Sequence, residues 1–139
     1  MEPADVIKVF DGDTIDVYTN GGLMIMDYFS IDALVLEIPA DGSEPFVIEA
    51  LERNRDIVEG QQVKLEQNLT ELDENGRHLR YVYVGELMMN ALLLYEGLAR
   101  VYTPSQGLKY SDIIHLVEQQ AIMNRQSGWI REWSSGRRR

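Results

Sequence analysis

A chain of 139 residues, 45% hydrophobic and 26% charged, has the size and composition of one folded domain, which excludes two full domains and a disordered polypeptide. No apolar run approaches the roughly 20 residues of a spanning helix, and the start Met1-Glu2-Pro3-Ala4-Asp5 lacks the basic flank and apolar core of a secretion signal. An intracellular, cytoplasmic protein without membrane contact is therefore expected. The lack of cysteine excludes disulfides and thiolate chemistry, and a formal charge of −10 argues against a broad basic face for a polyanion.

Taken in order, Ala4 to Val9 and Thr14 to Tyr18 alternate apolar and polar residues around Asp11-Gly12, which predicts a hairpin with acid at its tip. Taken alone, this Asp-Gly reads as a turn that needs positive φ at glycine. Asn20-Gly21-Gly22 supplies a second turn, and Leu23 to Ile31 reads as one strand, apolar on both parities in its first half. Pro39 and Gly42 mark a loop. Ser43-Glu44-Pro45 opens a helix that runs to Val58 and stops at Gly60, with Ala50, Leu51, Asn54 and Val58 close to one face.

Gln62 to Gln67 is predicted as a strand. After the turn Asp73-Glu74-Asn75-Gly76, His78 to Val84 is another, with Leu79, Tyr81 and Tyr83 alternating against Arg80 and Val82. Leu87 to Gly97 reads as a short buried helix and Ala99 to Tyr102 as a short strand. A last helix from Ser111 to about Gln126 carries Ile113, Leu116, Val117 and Ala121 on one stripe and ends before Gly128 and an anchoring Trp129. Five strands with a helix between the third and fourth suit an α+β, mainly β architecture: a five-stranded Greek-key OB-fold barrel with three helices, over residues 1–133. Residues 134–139 form a basic tail.

Four stretches then stand out together: Val9-Phe10-Asp11-Gly12-Asp13-Thr14-Ile15, Phe29-Ser30-Ile31-Asp32-Ala33, Asn75-Gly76-Arg77-His78-Leu79-Arg80-Tyr81-Val82-Tyr83, and Asn90-Ala91-Leu92-Leu93-Leu94-Tyr95-Glu96-Gly97-Leu98-Ala99. In order and separation they resemble the staphylococcal-nuclease family of calcium-dependent thermonucleases, from about Ala4 to Arg131. The resemblance implies a metal site in which Asp13 and Asp32 supply carboxylates and Ala33 a backbone carbonyl, with calcium as the possible cofactor; such an ion takes several oxygen ligands. It implies that Arg77 braces the phosphodiester, a task suited to a planar fork of donors.

Two positions depart from the pattern. The family's other phosphate-binding arginine falls on Asp27, and its catalytic glutamate falls on Val35, so that Glu37, two residues late, is the one acid left to serve the attacking water. Tyr81 and Tyr83 are candidate base-stacking, substrate-binding side chains, although alternation makes them barrel residues first. His78 and His115 have no metal partner in the sequence, and Met88 and Met89 fit a core. Two functions follow as expectations. One is a degraded, catalytically weak domain acting as a binding module for a protein partner or, weakly, for single-stranded nucleic acid. The other is a calcium-dependent phosphodiesterase cleaving single-stranded DNA or RNA.

Overall fold

The computed structural model describes residues 1–33, 45–67, 72, 76–102 and 109–125, with the side chains of 45–48 outside the description. Three strands meander at the start: β1 (Glu2–Asp11), β2 (Thr14–Thr19) and β3 (Gly22–Tyr28). β1 is long enough to serve two neighbours. Its first residues pair with β5 (Gln62–Glu66) and its second half with β2, and register shifts after Val6 and Val9 let it bend between them. β5 pairs with β6 (His78–Val84), whose start lies parallel to the end of β3 through Met26–His78, Asp27–Leu79 and Tyr28–Arg80. The ring β3-β2-β1-β5-β6 thus closes on itself as a five-stranded barrel. Alternation along β1, β2, β3 and β5 fills its interior, where Val6, Ile15, Val17, Met26 and Val63 are buried.

The expected single strand Leu23–Ile31 is two. After Tyr28, Ser30 takes φ 71, and its carbonyl accepts the Tyr102 N–H at 2.8 Å. The chain leaves the barrel there, and β4 (Ile31–Ala33) pairs instead with β8 (Ala99–Val101), setting Asp32 opposite Arg100. The alternation expected along β6 also fails in its middle, where Arg80, Tyr81 and Val82 are all buried. The reason is α2 (Met89–Tyr95), which follows the short β7 (Leu87–Met88) and covers the outside of β6. Asn90, fully buried, accepts the Val82 N–H through Oδ1 at 2.9 Å and donates through Nδ2 to the Phe29 carbonyl at 2.8 Å. It satisfies backbone groups that the break after β3 leaves inside the protein.

α1 (Pro45–Val58) starts at the expected proline, and its face carries Ala50, Asn54 and Val58 into the core. α3 (Ser111–Met123) ends earlier than expected, because Arg125 takes φ 52 and donates to the Ile122 carbonyl at 3.1 Å. Its buried stripe is also turned by a residue from the expected one: Ile114 and Ala121 are buried, whereas Ile113 and Leu116 are more than half exposed. Trp129 and the basic tail lie outside the described residues, and among those residues no helix is long and apolar enough to cross a membrane.

Candidate functional site

The tip between β1 and β2 is built by its own side chains. Asp11 accepts the Asp13 N–H through Oδ1 at 3.0 Å, an Asx turn. Gly12 does not sit in the left-handed region, so positive φ is not why glycine is needed here. A Cβ at this position would lie 2.9 Å from the Cβ atoms of both Ala33 and Ala50. The tip is glycine because two other segments close on it.

That closeness gathers the site. The Asp13 carbonyl accepts the Tyr28 N–H at 2.9 Å, and Asp13 Oδ2 accepts the Ala33 N–H at 3.0 Å. One residue therefore ties the hairpin tip to the end of β3 and to β4, which brings its carboxylate beside the Asp32–Ala33 peptide. From α1, Asn54 donates through Nδ2 to the Asp11 carbonyl at 3.0 Å and accepts the Tyr28 hydroxyl at 2.5 Å. Burial in this apolar surround, ahead of the opposing Asn54 bond, raises the Tyr28 phenol well above its usual range and keeps it a neutral donor. Asn54 was legible as a polar residue on an otherwise apolar helical face; its task was not.

Next to Asp13, the Thr14 hydroxyl lies 2.9 Å from Asp27 Oδ1 and 3.3 Å from Asp13 Oδ1. Thr14 and Asp27 are register partners across β2 and β3, so the shared hydroxyl follows from strand pairing. Arg77 reaches the same Asp27 oxygen with Nη1 at 3.5 Å. On the other side, Arg100 places Nη2 at 3.5 Å from Asp32 Oδ2, with both side chains largely buried. These contacts involve three carboxylates and two guanidiniums, and each guanidinium faces an acid.

Of the candidate residues, Asp13 is bonded to the Ala33 N–H and is linked through the Thr14 hydroxyl and Asp27 to Arg77, while Asp32, the neighbour of Ala33 in β4, faces Arg100. Val35 and Glu37 lie outside the described residues. Tyr81 corrects an expectation: its ring is fully buried between Phe29 and Tyr110, with no face open to a base. Tyr83 is partly buried and gives its hydroxyl to Glu66 at 3.1 Å. His115 bonds the Ser111 carbonyl in its own helix at 2.8 Å, as a solvated surface histidine does.

Sequence reasoning missed the cluster around Glu66. Its carboxylate takes the Tyr83 hydroxyl, the Tyr110 hydroxyl at 2.7 Å and the Lys109 ammonium, clasping the start of α3 to the barrel. Burial alone would raise the Glu66 pKa, yet the bonds from Lys109, Tyr110 and Tyr83 together hold it below the usual carboxylate range. The bond to Glu66 likewise raises the Lys109 ammonium above its ordinary value. Lys109 and Tyr110 lie more than forty residues beyond Glu66, with no spacing to announce the contact.

As a cation site, the donor set is chemically coherent but sparse. Carboxylates and a peptide carbonyl are the hard oxygen ligands a calcium ion takes, with waters completing six to eight positions. Among the described residues no three acidic or histidine side chains converge as a ready-made cage. The donor types match those of a hard divalent cation, but the described residues do not assemble a cage for one.

The closed five-stranded barrel with its three packed helices defines an OB-fold protein. The comparisons agree: residues 26–131 match the family model described as staphylococcal nuclease homologue. The chain is 36% identical over 124 residues to the endonuclease YncB of Bacillus subtilis, covering 88% of this chain and 59% of that protein. It is 33% identical over 124 residues to the thermonuclease of Staphylococcus hyicus, covering 89% and 73%. It is 36% identical over 124 residues to the SPbeta prophage-derived endonuclease YokF of Bacillus subtilis, covering 88% and 42%. The chain belongs to the staphylococcal nuclease family, and spans between two fifths and three quarters of the length of these relatives.

Proposed function

We propose that this chain is a nuclease-fold domain with strongly reduced phosphodiester hydrolysis, acting as a binding module for a protein partner and, more weakly, for single-stranded nucleic acid. The observation that carries this reading is the ion pair between Arg77 and Asp27. The guanidinium that would brace a phosphodiester already faces an anion, which stands where the resemblance calls for a second guanidinium. A phosphate entering there meets a carboxylate, and repulsion replaces the charge stabilisation that the transition state needs. The absent base compounds this, because Val35 has no proton-accepting group. General base help and one charge-stabilising donor are each worth about a hundredfold or more in rate, so losing both lowers turnover by about ten-thousandfold.

The second reading, a calcium-dependent phosphodiesterase on single-stranded DNA or RNA, is favoured by one observation: Asp13 is anchored on the Ala33 N–H beside Asp32. There, Asp13, Asp32 and the Ala33 carbonyl would hold the ion, which when bound supplies positive charge to a phosphoryl oxygen. Arg77 would brace the phosphate, and Glu37 would orient water. The relatives named endonuclease and thermonuclease also support this reading.

The two are separated by incubating the protein with labelled single-stranded DNA and RNA, in calcium or in chelator, alongside Asp13→Ala and the double variant D27R/V35E. The expected result is calcium-dependent cleavage at or near background in the wild type and at least about a hundredfold faster cleavage by the double variant. Calcium-dependent cleavage by the wild type that disappears in Asp13→Ala would overturn the binding-module reading.

A further inference from the structure

We propose that Arg100 is a built-in competitor for the cation at Asp32 and so sets how tightly the cleft holds a divalent metal. The inference rests on the reading of Asp13 and Asp32 as a cation site, and not on whether the cleft hydrolyses its ligand. The register of β4 on β8 places Asp32 directly opposite Arg100. Backbone pairing therefore fixes the pair.

Arg100 is buried, at 7% exposure, with Nη2 3.5 Å from Asp32 Oδ2. A guanidinium does not lose its proton under any ordinary condition, so its charge cannot be switched off to make room for a metal. Nor is a buried cation readily separated from its carboxylate, because breaking such a pair leaves an uncompensated charge. A divalent ion drawing on Asp32 would thus share that carboxylate with a permanent positive charge or displace it. Asp13 is placed differently: its oxygens accept a peptide N–H and face a neutral hydroxyl.

This has a direction that a purely structural role for Arg100 lacks. If the guanidinium only held β8 to β4, its removal would loosen the site and weaken cation binding. If it competes, removal strengthens binding. A neighbouring charge shifts the proton affinity of a carboxylate by one to three powers of ten, so a calcium gain of about tenfold is the expected size.

The experiment is calorimetric titration of calcium chloride into the wild type, Arg100→Gln, Arg100→Lys and Asp13→Ala, with circular dichroism establishing that each variant is folded. Expected are a Kd about tenfold lower in Arg100→Gln, a Kd within about threefold of wild type in Arg100→Lys, which keeps the charge, and no saturable binding in Asp13→Ala. Unchanged or weaker binding by folded Arg100→Gln overturns the proposal, as does a lack of saturable binding in both the wild type and Arg100→Gln. Should Arg100→Gln not fold, the wild type decides by nuclear magnetic resonance. The Arg100 side-chain N–H signal must move during the calcium titration with the same midpoint as the Ala33 backbone N–H, and a static signal overturns the proposal. Cleavage by the wild type would remove the binding-module reading without touching this inference.

Discussion

Gly12→Ala probes packing and site together. The added methyl would sit 2.9 Å from the Cβ of Ala33 and of Ala50, and 3.5 Å from the Ala50 carbonyl carbon. Two carbons in van der Waals contact rest at about 3.5–4.0 Å, so β4 and α1 must each retreat by about 0.5–1 Å. Neither neighbour is the tip of a long side chain that could swing aside; both are alanines fixed to their backbones. Overpacking of this kind costs about 1–3 kcal/mol, so about 2 kcal/mol is expected, a fall in Tm of roughly 5–10 °C for a domain of this size. The retreat of Ala33 also lengthens its bond to Asp13 Oδ2, now 3.0 Å. Urea unfolding of the wild type, Gly12→Ala, Ala50→Gly and the double variant makes a closed cycle. Ala50→Gly alone should cost about 1 kcal/mol of helix stability, and in the double variant it should return about 1 kcal/mol of the Gly12→Ala loss. A Gly12→Ala protein within about 0.5 kcal/mol of wild type would refute the packing argument.

Asn90→Leu keeps the volume and removes three hydrogen bonds, leaving the buried Val82 N–H and Phe29 carbonyl without their partner; a loss of about 2–4 kcal/mol in urea unfolding is expected. Glu66→Gln tests the clasp through pH. Because the folded pKa of Glu66 is lowered, its contribution is present above the ordinary carboxylate range and is lost as pH falls through the folded value. The raised pKa of Lys109 means that its share is complete below the ordinary lysine range and is lost only as pH rises through the raised value. The stability gap between wild type and Glu66→Gln should therefore be widest near neutral pH and shrink under acid, and a gap that stays constant from about pH 7 to about pH 3 would refute the assignment. Asp27→Asn removes the anion facing Arg77 but keeps an acceptor for Thr14, so binding to single-stranded DNA should tighten and its salt dependence steepen by about 0.7 in slope. Fluorescence anisotropy at several salt concentrations measures both, and parallel wild-type and variant lines would count against Asp27 as the obstacle.

Most elements were legible because they obey a single local period. The proline that opens α1 and the strands before and after it follow from alternation and turn chemistry, whereas the glycine at the hairpin tip is set by the close approach of Ala33 and Ala50. What failed did so for tertiary reasons. Nothing in Leu23 to Ile31 marks the exit at Ser30, a serine in a conformation that glycine prefers; the Tyr102 N–H bound to its carbonyl is supplied from seventy-two residues away. On α3 the expected Val117 and Ala121 do face the core, but Ile113 and Leu116 do not, because Ile113, Ile114, Leu116 and Val117 offer two overlapping apolar faces and packing against α2 buries the one that includes Ile114. The candidate acids of the site are named by the resemblance of their motifs. Their counter-charges are not, since Arg100 meets Asp32 only through the β4–β8 register.

Those counter-charges decide how the cleft should behave. A phosphodiester or a metal ion binds best where charge of the opposite sign is held ready and under-compensated, because binding then exchanges solvent for a fixed partner. Here each charged group already faces something: Asp32 faces Arg100, Asp27 faces Arg77 and the Thr14 hydroxyl, and Asp13 accepts the Ala33 N–H. A ligand must therefore compete with the protein's own groups, and an anion must do so on a chain with a formal charge of −10. The two pairs differ in how easily they yield. Arg77 is about 45% exposed, so water and a modest rotation can separate it from Asp27, whereas Arg100 is buried and stays. Substitutions at Asp27 should accordingly act on anion binding with little cost in stability, and substitutions at Arg100 on cation affinity and folding together.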